Sequence, residues 1–174
     1  VHRPVASNVC KFCHRAADPQ RHTFKLLRED GGLCEYCHWD RAREIEENGH
    51  RSLGGGECVA CHDPHATDHP LLLPGPTAAD ACRRCHSGLL EGKRALHAPV
   101  AAGECIACHD PHRSDHGKLL KEAPDQLCFV CHEVTKKELD RFEHVHAPVT
   151  EVGCGTCHDP HGSDNAMHLK DAVP

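Results

Sequence analysis

Fourteen cysteines stand in this chain as seven pairs with two residues between the partners, and a histidine follows every pair at once. The pairs are Cys10/Cys13, Cys34/Cys37, Cys58/Cys61, Cys82/Cys85, Cys105/Cys108, Cys128/Cys131 and Cys154/Cys157, and the histidines are His14, His38, His62, His86, His109, His132 and His158. No cysteine is left over. Thiols and imidazoles at this spacing serve two chemistries: a four-cysteine zinc site built from two pairs, or covalent attachment of haem c.

Histidine makes up about 11 % of the chain. Seven pairs all followed by histidine by accident would have a probability on the order of 10⁻⁷, so the motif reads as Cys-x-x-Cys-His haem attachment. Residues three apart lie on one face of a helical turn, which lets two thiols form thioethers to the vinyl groups of one porphyrin. The adjoining histidine is then placed against the iron. Seven covalently bound haem c groups are expected, with the seven motif histidines as proximal ligands.

Two kinds of motif alternate along the chain. The first kind has a histidine eight residues before its first cysteine, as in "HRPVASNVC", "HRSLGGGEC", "HAPVAAGEC" and "HAPVTEVGC", and three of the four close with "CHDPH". The second kind, at Cys34, Cys82 and Cys128, follows a leucine pair and a polar loop. The alternation resembles the doubled Cys-x-x-Cys-His family of multihaem c-type cytochromes. It divides the chain into repeats at about 1–49, 50–96 and 97–145 and a half repeat at 146–174, within one cytochrome domain spanning 1–174. The first repeat reads "CHRAADPQRH" where the others read "CHDPH".

The repeat also selects distal ligands for the irons. The position eight before the motif gives His2, His50, His97 and His146; the last position of "CHDPH" gives His65, His112 and His161, with His22 as the shifted counterpart in the first repeat. Eight candidates serve seven irons, so one is spare. His69, His116, His144 and His168 are read as solvated or propionate-bonding, because the third copy has Asn165 where His69 and His116 stand. Met167, the one methionine, is an unfavoured axial candidate.

The elements that position these ligands must be small. Leu, Ile, Val and Phe together make up about 18 % of the chain, below the roughly 20 % at which chains tend to stay disordered. The porphyrins are therefore expected to supply the core. Twelve prolines and fourteen glycines interrupt the chain, and no strand alternation is visible. The expected fold is mostly irregular with short α-helices, around 35–48, 85–96 and 131–144, in a haem-cored repeat array without significant β-sheet.

An iron held by two histidines has no open position for substrate, so it takes and passes electrons. The expected function is electron transfer along seven closely packed haems, not enzymatic turnover. A formal charge of −6 argues against nucleic acid as partner, and no apolar run approaches a membrane span. The chain starts at Val1 without an initiator Met, which fits a mature exported protein, extracellular or periplasmic. It begins and ends with the same kind of half repeat, and a head-to-tail contact that does not close makes a filament. A conductive homopolymer is the favoured assembly, with one of the eight distal candidates, left open but tested first at His2, free to be donated across the joint, and with other redox proteins or extracellular acceptors as partners. The alternatives are a soluble periplasmic shuttle or conduit component, and, less favoured, a multihaem reductase.

Overall fold

A chain so dense in proline and glycine supports only short runs of regular structure, and the computed structural model has this character throughout the residues it describes, 1–18, 20–21, 23–28, 32–50 and 57–172. They divide into two units. One comprises Val1–Cys82 with Pro111–Arg113, the other Arg83–Asp110 with Ser114–Pro174.

In the first unit, α1 (Arg3–Ala6) is a single turn started by Pro4, whose fixed φ suits the first helical positions. A hairpin of β1 (His14–Asp18) and β2 (Thr23–Leu26) follows, pairing His14 with Leu26 and Arg15 with Lys25. Then come α2 (Gly32–Glu35), α3 (Trp39–Asn48) and α4 (Ala78–Cys82). In the second unit β3 (Ala95–Leu96) leads directly into α5 (Ala98–Ala101), and α6 (Pro124–Leu127), α7 (Glu133–Leu139) and α8 (Ala147–Glu151) precede β4 (Gly162–Ser163). β3 and β4 pair antiparallel, Ala95 with Ser163 and Leu96 with Gly162.

Two local expectations change. The helix expected over 85–96 is a 3₁₀ turn at Ser87–Leu90 followed by β3, because Gly88 and Gly92 fall within five residues and Gly92 takes φ +74°. The helix expected over 35–48 is split at His38, whose φ of −113° and ψ of 40° separate α2 from α3. Among the described residues the sheets are two small two-stranded pairs, in keeping with the expected fold without significant β-sheet. Two-residue strands such as β3 and β4 are too short to show alternation, and their partners lie far apart in the chain.

The polypeptide has almost no core of its own. Among the described residues Ala79 and Ala81 are the buried hydrophobics, and no large side chain is fully buried. Trp39, Phe12, Val130 and Phe142 are all more than 60 % exposed. Apolar contact has to come from something other than side chains.

Candidate haem sites

The attachment motifs are tight turns closed by their own backbone. Amide N–H groups of Cys13, Cys37, Cys61, Cys108, Cys131 and Cys157 donate to the carbonyl of the cysteine three residues earlier at 3.1–3.3 Å. The next amide, of His38, His62, His109, His132 or His158, reaches that same carbonyl at 2.9–3.1 Å. This puts both thiols on one side, with the histidine leaving the turn. The residues after that histidine decide the kind of motif. After His38 and His132 the chain continues as helix, and these histidines sit at the N-caps of α3 and α7; His86 caps the 3₁₀ turn Ser87–Leu90. In the three first-kind motifs that read "CHDPH", Asp-Pro follows instead and no helix forms, and after His14 the chain runs on as β1.

Cys82 is the last residue of α4 and is half-buried, whereas Cys85 lies exposed in the turn beyond the helix. A half-buried first thiol with an exposed second recurs at Cys34/Cys37, Cys128/Cys131 and Cys154/Cys157. The place of Cys85 as a haem thiol rests on its motif.

A shared kink holds the proximal imidazoles of three first-kind motifs. Nδ1 of His62, His109 and His158 lies 2.7, 2.9 and 2.8 Å from the carbonyls of Leu71, Lys118 and Met167. A carbonyl can only accept, so Nδ1 carries the proton and Nε2 keeps its lone pair for a metal. Leu71, Lys118 and Met167 have φ of 57, 60 and 54°, and the residues after them are also left-handed. Non-glycine residues in this region are held at a cost of roughly 1–2 kcal/mol each. The strain aims the carbonyl at the ring. Met167 is 81 % exposed, so it contributes here through its backbone.

The imidazoles meet in pairs whose spacing fits one central iron. Two rings bonded through Nε2 to a metal at about 2 Å have centroids about 6.3 Å apart. The pairs His2/His38, His14/His65, His62/His112, His97/His132 and His109/His161 have centroids 6.0–6.2 Å apart and planes inclined by 4–27°. The pairing follows two rules. A first-kind proximal histidine faces the last histidine of the next "CHDPH", as His14 does His65. A second-kind proximal histidine faces the one at the start of its own repeat, as His38 does His2.

Asp and Pro of "CHDPH" both position distal ligands. Asp63 Oδ1 accepts the amides of His65 and Ala66 at 2.8 and 3.2 Å, and Asp159 Oδ1 that of His161 at 3.0 Å. These backbone donors hold the Asp63 carboxyl below its usual value of 3.8, so the turn's contribution is complete above that pH and is lost as pH falls further. The same carboxylates stand 3.9 and 3.7 Å from Nδ1 of His65 and His161. Burial holds His161 below its ordinary pKa despite Asp159 beside it. The proline carbonyls serve a second histidine: Nδ1 of His2 donates to Pro64 at 3.0 Å and that of His97 to Pro160 at 3.1 Å. Backbone bonds His2 to His65 and His97 to His161, at 2.9 and 3.3 Å, couple two imidazole pairs in each case.

Strands β3 and β4 fix the second of these couples, since His97 follows β3 and His161 precedes β4. Lys93 reinforces it by contacting Asp159 and donating to the Gly162 carbonyl. Gly162 has φ +133°, and a Cβ there would lie 2.3 Å from the Ala95 carbonyl oxygen. Gly162→Ala is therefore expected to cost on the order of 1–3 kcal/mol and to disturb His97 and His161 together. Absorption spectra of the haem-loaded variant should show loss of low-spin signal from two haems; loss from one alone would contradict the coupling.

Thiols of successive motifs come together. Burial, then the adjacent Cys58 thiol, to which Cys34 is hydrogen-bonded, push Cys34 up to about 11, with Cys13 also near. Burial and Cys154 likewise raise Cys128, and burial and Cys131 raise Cys108. Thioether formation would consume these thiols and leave the attachment edges of consecutive porphyrins side by side.

Not every candidate finds a place in this scheme. His22 lies outside the described residues. His146 caps α8, but among the described residues neither it nor His158 has an imidazole at the paired spacing. His2, one of the candidates for a donated ligand, faces His38 of its own chain. His69 and His116 have their amides capped by Thr67 and Ser114. His168 stands edge-on to His97 at 5.7 Å. Sequence reasoning missed the carbonyls of Leu71, Lys118 and Met167, for which side-chain identity carries no signal. It quoted Asp63 and Asp159 within the motif without their role.

A profile of the doubled CXXCH motif matches residues 50–90, 97–137 and 146–174. It leaves 1–49, the repeat that departs from "CHDPH", unmatched. No curated protein matches the chain.

Proposed function

The chain belongs to the doubled CXXCH motif family of multihaem c-type cytochromes, and we propose that all seven motifs carry haem c and relay electrons within an extracellular filament of this chain. The haem supplies one-electron chemistry at iron. Cysteines of each motif would hold its edge, and the paired imidazoles would hold its iron.

The observation that carries the reading is the set of imidazole pairs at 6.0–6.2 Å with thiols of successive motifs in contact. Such pairs would hold an iron through two imidazoles, which favours electron transfer over turnover of a bound substrate. No described helix is long and apolar enough to cross a membrane. The filament is favoured by how ligation runs: His14, His62 and His109 each take their partner from a following repeat. The same hand-over between copies would engage His146 and His158.

Negative-stain electron microscopy of the purified, haem-loaded protein tests the assembly. Fibres of uniform width are expected. Separate particles at high concentration would replace the filament with a soluble exported shuttle, leaving electron transfer intact.

A further inference from the structure

The first repeat shares the backbone ladder of the others. The Leu27 amide donates to the Cys13 carbonyl at 2.9 Å, as Lys121 does to Cys108 and Lys170 to Cys157. His14 pairs with Leu26 as His109 does with Leu120 and His158 with Leu169. Three residues before Lys121 and Lys170 stand Lys118 and Met167, the kinked residues whose carbonyls hold His109 and His158. Three residues before Leu27 stands Phe24.

Phe24 lies in β2, so the kink is replaced by extended strand. Its ring packs edge-on against His14, centroids 5.4 Å apart and planes at 61°. Nδ1 of His14 is buried and has no hydrogen-bond partner. The three other first-kind motifs give this nitrogen a carbonyl; in the first, an aromatic ring stands beside the imidazole instead.

The difference acts on the iron through the ligand. An imidazole whose Nδ1–H donates to a carbonyl is more basic and stabilises ferric iron, lowering the reduction potential; burial without that bond favours the ferrous state. We propose that Phe24 is a positioning residue which, by covering His14 Nδ1 in place of a carbonyl, sets the haem of Cys10, Cys13 and His14 at a higher potential than the haems of His62, His109 and His158. The inference rests on the haem reading above. The step is reduction of ferric to ferrous iron by one electron, with no bond made or broken, and this haem is where an electron comes to rest among the four.

The test is an electrode-driven redox titration of the haem-loaded protein, followed by NMR of the assigned haem methyl groups, with peptide mass spectrometry confirming haem on Cys10 and Cys13. The haem at His14 should be reduced first of the four. Phe24→Ala, which admits water to Nδ1, should shift that midpoint downward and leave the other three in place. Phe24→Leu, which keeps apolar cover, should retain the wild-type value. An unmodified Cys10–Cys13 peptide would remove the haem reading and the inference together. Haem present but reduced with or after the other three would overturn the inference alone, and so would an equal downward shift in Phe24→Leu and Phe24→Ala. Should a variant fail to fold, the wild-type order decides.

Discussion

A chain with all fourteen cysteines replaced by serine is expected to lose cooperative folding altogether. Ordering the backbone costs roughly 1–2 kcal/mol per residue, and the polypeptide offsets little of it: among the described residues the buried hydrophobics are Ala79 and Ala81. Side chains as large as Trp39 and Phe142 lie mostly exposed in the bare polypeptide. Covalent porphyrins would cover such groups and also tie each Cys-x-x-Cys turn to its histidine, so attachment and folding become one event. Circular dichroism should show a flat thermal profile, and the hydrodynamic radius should approach that of an unfolded chain. A cooperative melt with a compact radius would mean that the polypeptide carries its own core.

Removing one distal imidazole has the second largest effect. His161→Ala takes away the partner of His109, and the backbone around it stays anchored by Asp159, Lys93 and the β3–β4 pair. The expected result is one haem converted to a high-spin, five-coordinate form that binds carbon monoxide rapidly, with the remaining haems low-spin. Its potential should rise, because a ferric iron loses a basic ligand. The absorption of the reduced protein with and without carbon monoxide measures this. An unchanged low-spin spectrum would show that His109 takes its partner elsewhere.

The contrast between these two experiments reflects how far each feature reaches along the chain. Cysteine attachment depends on a spacing of three residues, and the alternation of "CHDPH" with helix-leading motifs was equally plain. The short α1, α5 and α8 turns were implicit in His-x-Pro: histidine at the N-cap, proline in the first turn, and a left-handed Asn8 or Gly103 turning the first two toward their motifs. The kinks at Leu71, Lys118 and Met167 were invisible, because leucine, lysine and methionine have no preference for a left-handed backbone and adopt it here only because surrounding hydrogen bonds require it.

The sequence by itself determined how many attachment motifs there are, which histidine adjoins each, and that the polypeptide is poor in apolar side chains. These follow from covalent chemistry and composition, which act locally or as totals. Only the tertiary structure decided which imidazole faces which. His14 meets His65 and His38 meets His2 because backbone bonds between segments tens of residues apart, such as His2 to His65 and His97 to His161, bring members of two imidazole pairs together. Nothing in the spacing of histidines distinguishes a ligand for its own repeat from one for the repeat before. It took the same long-range ladder to place Phe24, and not a carbonyl, beside His14.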